Sequence, residues 1–266
     1  MTEYVTVTSD APMGRDGAIK LHGPDAFAGM HKAGRLCAET LDMIAPHMVP
    51  GVSTAEIDRL IHDFIVAGGG VPATLGYRGY THSSCISINH VVCHGIPSEA
   101  KTLKSGDIVN VDVTPIVDGW HGDSSRMYLI GDVPLKAKRL VEVTYECLML
   151  GIEAAKPGAR MGDVAHVIQR HAEAHRYGVV RDFCGHGVGR LFHDAPNILH
   201  YGSANEGVEM RPGMIRLRGY AIEELIGRVS FPAMIWLMLR GELPSEGMVR
   251  GAVQVPADGA PVVFGP

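Results

Sequence analysis

Two aspartates carry the clearest chemical signal in this 266-residue chain. Asp112 lies within the run at 108–117, which is rich in apolar β-branched residues, and Asp123 follows shortly afterwards. An unpaired carboxylate among apolar residues is costly, and two converging carboxylates either hold a cation or repel until one keeps a proton. Asp112 could instead be a solvated edge residue and Asp123 a turn residue. The apolar neighbours of Asp112 favour a metal or acid–base site.

Three histidines add to this signal. His94, His186 and His193 sit in short segments that contain glycine or proline, and the two aspartates lie between them in sequence. With 14 histidines in the chain, chance proximity is easy, and a lone histidine is more often a hydrogen-bonded residue than a ligand. The clustering nevertheless indicates a hydrolytic metal site. The glycines around His186 allow a close approach of the backbone.

A β-hairpin is predicted to position the two aspartates. Asp118-Gly119 separates the runs 108–117 and 120–130, and an Asp-Gly pair between two such runs favours a type I′ turn. A two-residue turn there pairs Thr114 with Asp123. Asp112 is then the diagonal neighbour of Asp123 on the same face, at about 7–8 Å between backbones.

The elements around this hairpin repeat. Apolar spacing predicts helices over residues 24–45 and from a cap at Ser53 or Thr54 to the glycines at 68–70. Strand and turn follow over 71–106, with residues 84–93 as one extended segment. Further helices are predicted over 134–155 and 163–177, again followed by strands. This order predicts an α+β domain with a pseudo-twofold duplication and a site where the halves meet. Residues 1–23 are expected to form a loose arm.

Composition narrows the functional class. A net charge of −5 with 20% charged and 46% hydrophobic residues is typical of a soluble globular protein and indicates no nucleic-acid or polybasic membrane partner. The five cysteines lack a CxxC pair, which favours reduced thiols in the cytoplasm. No signal peptide is evident at the N-terminus, and the longest apolar run, 231–239, is too short to cross a bilayer.

Four segments carry a family resemblance. They read NHVVCHGIP (89–97), GDIVNVDVT (106–114), DGWHGDSSRM (118–127) and CGHGVGRLFHDAPNILHYG (184–202). Through them, residues 24–214 resemble a type I methionine aminopeptidase. The resemblance implies a pita-bread fold and metal-dependent removal of N-terminal methionine from nascent proteins. It further implies a cytoplasmic monomer that meets its substrates at the ribosome.

The resemblance also implies roles for individual residues. Asp112, Asp123 and His186 match ligands of a divalent metal pair, with Asp112 chiefly on one ion and Asp123 bridging. His94 and His193 match residues that contact the substrate and the developing charge. The positions that line the methionine pocket are Tyr77, Tyr80, Cys85 and Phe192. Divalent ions lower the pKa of water so that it can attack the scissile carbonyl, and cobalt, manganese, iron(II) and zinc all suit such ligands.

The chain departs from the family pattern after Met214. The family has a glutamate ligand five residues after a Pro-Gly-Met, and that position is Gly219 here. A second glutamate, in a W/Y-E-H-T strand, has no match. Residues 215–245 instead resemble a citrate synthase-like segment, and residues 243–266 resemble part of a biotin-dependent carboxyltransferase-like family. A composite chain is therefore expected, with an unrelated tail over 215–266 and an incomplete second half.

The sequence is compatible with several functions. The first is an aminopeptidase impaired by the loss of two glutamate ligands, for which Glu223 and Glu224 are the nearest replacements. The second is a catalytically inactive pita-bread protein that binds one metal or an N-terminus, and the third is a chimera without a native function. A prolidase-like relative fits less well, because residues 85–94 follow the methionine enzyme.

Overall fold

The computed structural model describes residues 3–7 and 18–211, together with the backbone of two short strands beyond them. Four helices lie at α1 Pro24–Ile44, α2 Thr54–Ala67, α3 Leu135–Ala154 and α4 Met161–Ala174. The strands are β1 Tyr4–Thr6, β2 Ile19–Leu21, β3 Val71–Pro72, β4 Ser84–Ile88, β5 Ile108–Val113, β6 Pro115–Val117, β7 Trp120–His121, β8 Ser124–Leu129, β9 Gly185–Gly187, β10 Asp194–Ile198, β11 Arg216–Leu217 and β12 Tyr220–Ala221.

The predicted duplication is visible in the order of the elements. Helices α1 and α2 precede an antiparallel sheet of order β4-β5-β8, and helices α3 and α4 precede the antiparallel pair β9–β10. Helix α2 begins after Ser53, whose hydroxyl accepts a hydrogen bond from the Glu56 amide at 3.1 Å, as the sequence predicted. Helix α4 starts two residues earlier than predicted, since the Asp163 carboxylate reaches back to the Arg160 amide at 2.7 Å.

The main core lies between the first helix pair and the central sheet. Val109, Val111 and Val113 point from β5 into a cluster with apolar residues of α1 and α2, including Leu41 and Ile61. Because side chains alternate along a strand, this packing places Asn110 and Asp112 on the opposite face of β5. The core thereby orients one predicted ligand away from the helices.

The predicted hairpin register is confirmed. Asp118 and Gly119 both have positive φ, at 50° and 80°, and Val117 pairs with Trp120. The hairpin is nevertheless broken into two sheets, because neither Thr114 nor residues 122–123 belong to a strand. A Cβ on Gly122 would overlap the Ala33 carbonyl of α1, so the close approach of the helix accompanies this break.

Two other expectations need correction. Residues 4–6 and 19–21 do not form a loose arm: β1 and β2 pair in parallel, and the Tyr4 hydroxyl donates to the Glu209 carbonyl at 2.7 Å. The Lys20 ammonium also binds the Asp194 carboxylate at 2.8 Å, with both side chains largely buried. The strand expected within residues 84–93 ends at Ile88, because the next residue, Asn89, has a φ of 54° and turns the chain.

Some expectations lie outside the described residues. They concern the completeness of the second half, the composite origin of the tail, and the positions Gly219, Glu223 and Glu224.

Within the described part of the chain, no helix is both long and apolar enough to cross a membrane. All five cysteines are free thiols, as their spacing predicted.

Candidate active site

A cavity of about 660 Å³ opens where the two halves of the molecule meet. All nine side chains predicted for the site line it: Tyr77, Tyr80, Cys85, His94, Asp112, Asp123, His186, Phe192 and His193. Five further residues contribute to its wall, namely Thr74, Arg78, Gly79, Ile96 and Thr114. The structure thus brings together residues that are more than 100 positions apart in sequence.

Asp112 occupies the floor of this cavity. It lies on β5 between two neighbouring strands, where it pairs with Cys85 of β4 and Ser125 of β8. Burial raises the pKa of the Asp112 carboxyl to about 7, and the nearby charge of Asp123 adds to this shift. The carboxyl therefore keeps its proton well above the usual range, unless a cation offsets the charge.

Asp123 lies at the break in the hairpin. The Thr114 hydroxyl donates to its Oδ1 at 3.0 Å, and its Oδ2 is 3.4 Å from His186 Nε2. Burial raises the pKa of Asp123, while His186 and the Thr114 hydrogen bond act in the opposite direction. The predicted cross-strand partner Thr114 therefore fixes one carboxylate oxygen, and the other faces the imidazole.

His186 is held in a form suited to metal binding. Its Nδ1 lies 2.9 Å from the Gly187 carbonyl oxygen, so that nitrogen carries the proton and donates. In the neutral ring, Nε2 then presents its lone pair towards Asp123. A Cβ on Gly187 would overlap the Ala195 carbonyl of β10, which explains why glycine follows the histidine.

The three predicted ligands are spread across the cavity floor. In the described part of the chain, Asp112, Asp123 and His186 do not all place one donor atom within 4.8 Å of one another. Two carboxylates and one imidazole Nε2 are a donor set that first-row divalent ions accept. Burial and the nearby charge of Asp123 both raise the pKa of Asp112, so a bound cation would offset the cost of ionising this carboxyl. The residues therefore fit a divalent metal centre.

His94 and His193 stand at the rim. His94 has a φ of 57°, a left-handed conformation that is uncommon outside glycine. The following Gly95 packs so tightly on β4 that a Cβ would overlap the Ile86 carbonyl. The Tyr77 hydroxyl lies 3.2 Å from His193 Nδ1, so proton exchange between His193 and a ligand would use Nε2.

An aromatic and thiol wall closes one side of the cavity. Phe192 packs against Tyr77 with ring centroids 5.1 Å apart and against His193 at 4.3 Å. The Tyr80 hydroxyl donates to the Ser84 carbonyl at 2.9 Å. Burial is the largest cause that raises the pKa of the Cys85 thiol, to about 11, so the thiol is neutral near pH 7. This wall suits an apolar side chain.

Two residues of the cavity wall, Arg78 and Ile96, were not predicted from the sequence. Arg78 has a φ of 49° and its guanidinium lies 5.4 Å from the centre of the Tyr77 ring. The side chain of Ile96 is 54% exposed at the mouth. Arg78 could have been predicted as a lining residue because it lies between two predicted pocket residues, Tyr77 and Tyr80. Ile96 could have been predicted because it lies two positions after His94.

Comparison with known proteins assigns the chain to a family. Residues 28–216 match the metallopeptidase family M24. Methionine aminopeptidase of Rickettsia prowazekii is 50% identical over 217 residues, which cover 82% of each chain. Methionine aminopeptidase A of a Synechocystis strain is 44% identical over 238 residues, or 88% of this chain and 92% of the relative.

The fold agrees with that assignment. The crystal structure of the Rickettsia prowazekii methionine aminopeptidase superposes with a TM-score of 0.72 at 54% identity, over 74% of this chain and 79% of that one. The expected α+β pita-bread architecture is thereby confirmed. The chain belongs to metallopeptidase family M24, and within it to the methionine aminopeptidases.

Proposed function

We propose that this chain removes N-terminal methionine from newly made proteins, using divalent metal held by Asp112, Asp123 and His186. One observation supports this most directly: the candidate ligands share a cavity with the neutral aromatic and thiol wall around Cys85. An unbranched apolar side chain can lie against that wall while the peptide bond beside it faces the carboxylates. The cavity then has both an apolar wall for the methionine side chain and candidate metal ligands for hydrolysis of the peptide bond.

Each residue has a definite task in this proposal. Bound divalent ions would polarise a carbonyl and acidify a water molecule. His186 offers Nε2 because the Gly187 carbonyl holds its Nδ1 proton. His193 is oriented by Tyr77 and would exchange protons through Nε2, and His94, which lines the same cavity, would hydrogen-bond the substrate.

The proposal includes impaired activity. Asp112 and Asp123 supply two negative charges, whereas two divalent ions carry four positive charges. Gly219 stands at the position of one family glutamate, and the other has no counterpart in the sequence. We therefore expect at most one tightly held ion, unless Glu223 or Glu224 replaces a missing ligand. An inactive protein that binds one metal is the alternative, and the same absence of glutamates supports it.

The cellular setting is part of the proposal. Removing methionine from nascent chains requires access to the ribosome, and a net charge of −5 with free thiols suits a cytoplasmic protein. We infer a monomer, as the family resemblance implies. The tail over 215–266 is proposed to be of separate origin, joined near residues 214 and 243.

Metal counting combined with a peptidase assay tests the proposal. The purified chain is expected to hold no more than one manganese, cobalt, iron or zinc ion per molecule at this site and to cleave Met-Ala-Ser slowly. Exchanging residues 215–266 for a tail that carries T-I-E-P and E-H-T strands should restore two ions and fast turnover together. Metal binding without any cleavage would favour the inactive alternative. Tight binding of two ions with fast cleavage by the unaltered chain would contradict the impairment.

A further inference from the structure

A second group of potential ligands lies between α3 and α4, on elements that contribute nothing to the cavity lining. Glu146 comes from α3, His171 comes from the last turn of α4, and His175 is the residue that caps the C-terminus of α4. One donor atom from each of the three lies within 4.8 Å of the others. The two histidines are four positions apart, which places them on the same helix face.

The hydrogen bonds of this group prepare one nitrogen ligand and place a second against the carboxylate. His175 Nδ1 lies 2.9 Å from the His171 carbonyl oxygen, so it donates its proton there and Nε2 keeps the lone pair. His171 Nε2 lies 2.7 Å from Glu146 Oε2, and the two imidazole rings are 4.4 Å apart. A metal ion would take the place of the proton on His171 Nε2, and the neutral ring would then carry its one proton on Nδ1 through exchange with solvent.

The carboxylate is fixed from its other side. The Arg139 guanidinium donates to Glu146 Oε1 at 3.1 Å, so Oε2 is directed at His171. The hydrogen bond from His171 is the largest cause that lowers the pKa of Glu146, and the carboxylate is therefore ionised near pH 7. The side chains of His171 and Glu146 are 24% and 40% exposed, which leaves a route for an ion from solvent.

We propose that Glu146, His171 and His175 form a second, zinc-type metal site that joins α3 to α4. Two imidazoles and one carboxylate form a ligand set that zinc binds in tetrahedral geometry, with water as the fourth ligand. The positive charge of Arg139 limits affinity, but its partner Glu142 balances that charge. Such a site would tie the two helices of the second half together and stabilise their packing. It is independent of the proposed aminopeptidase activity.

Zinc titration of the full chain tests this site. His175→Ala and Glu146→Gln should each bind one zinc ion fewer than the unaltered chain, or bind it about tenfold or more weakly. The control is His166→Ala, which removes a histidine from the same helix without touching the cluster. It should bind zinc as the unaltered chain does. Mass spectrometry under native conditions gives the count, and calorimetry gives the affinity.

Thermal unfolding provides a second readout that does not depend on peptidase activity. Zinc should raise the melting temperature of the unaltered chain and of His166→Ala, and it should raise that of His175→Ala less. The melting temperatures without metal show that each variant folds. Equal zinc counts and equal shifts for all variants would overturn the proposal, and so would an equal loss in His166→Ala.

Discussion

Cys85 and Asp112 face each other across the antiparallel ladder of β4 and β5. The thiol that lines the proposed side-chain pocket and a proposed metal ligand are therefore one cross-strand pair. Because strand pairing fixes such neighbours to within about 4.5–5.5 Å between Cβ atoms, the distance from the metal centre to the specificity wall is set by backbone geometry. Because of this pairing, a substrate's first side chain and its peptide bond would be bound at a fixed separation, one at the thiol wall and the other at the carboxylates.

The first prediction concerns the ligand role of Asp123. Asp123→Asn should strongly reduce metal uptake, because it removes one of two carboxylates while Thr114 can still hydrogen-bond the amide oxygen. Asp118→Asn is the matched control, since it removes an exposed carboxylate from the turn of the same hairpin. Metal content is measured by mass spectrometry after dialysis. Equal metal content in the two variants would remove Asp123 from the ligand set.

The second prediction concerns substrate choice. Turnover should require a free N-terminal methionine followed by a small residue, because the wall of Tyr77, Tyr80, Cys85 and Phe192 fits an unbranched apolar side chain. A panel of tripeptides that start with methionine, leucine or lysine, with and without N-terminal acetylation, is compared by chromatography. Similar rates for all three residues, or cleavage of acetylated peptides, would be incompatible with this pocket assignment.

The third prediction concerns pH and the metal-free protein. The pKa of Asp112 rises from an ordinary 3.8 to about 7 on folding, so ionisation opposes the folded state. The stability linked to this carboxyl is present below about pH 4 and is lost as the pH rises to about 7, with an upper limit of about 4 kcal/mol. Asp112→Asn should therefore gain stability relative to the unaltered chain between those pH values. Urea unfolding with a chelator, at pH 5 and pH 8, measures the difference.

A difference between the two proteins that does not change with pH would show that Asp112 does not titrate in this range. With added divalent metal, the stability of the unaltered chain should instead increase as the pH rises. The ion binds the ionised carboxylate, so proton release should accompany binding near pH 6.

The fourth prediction concerns the glycine beside His186. Gly187→Ala should destabilise the fold by about 1–3 kcal/mol and weaken metal uptake, because the new Cβ would overlap the Ala195 carbonyl and push β9 from β10. Gly178→Ala is the control, because a Cβ there meets nothing within 4 Å. Chemical denaturation measures the stability, and equal stability of the two variants would contradict the tight contact.

Much of the site was predictable because it depends on local chemistry. The Asp-Gly turn fixed the hairpin register, and alternation along β5 separated Asp112 from the valine face. The break of the hairpin into two sheets was not predictable, because it depends on the approach of α1 at Gly122. Contacts between distant elements, such as those of β1 and β2, leave little trace in local sequence patterns.

The bond from Tyr4 to Glu209 has a consequence for the order of synthesis. The two residues are separated by 205 positions, and Lys20 and Asp194 by 174. At about 5–20 residues per second, the ribosome makes Tyr4 roughly 10–40 s before its partner exists. Strand β1 can therefore pair with β2, 15 positions further on, early in synthesis, whereas its contact with Glu209 can form only after most of the domain has been made.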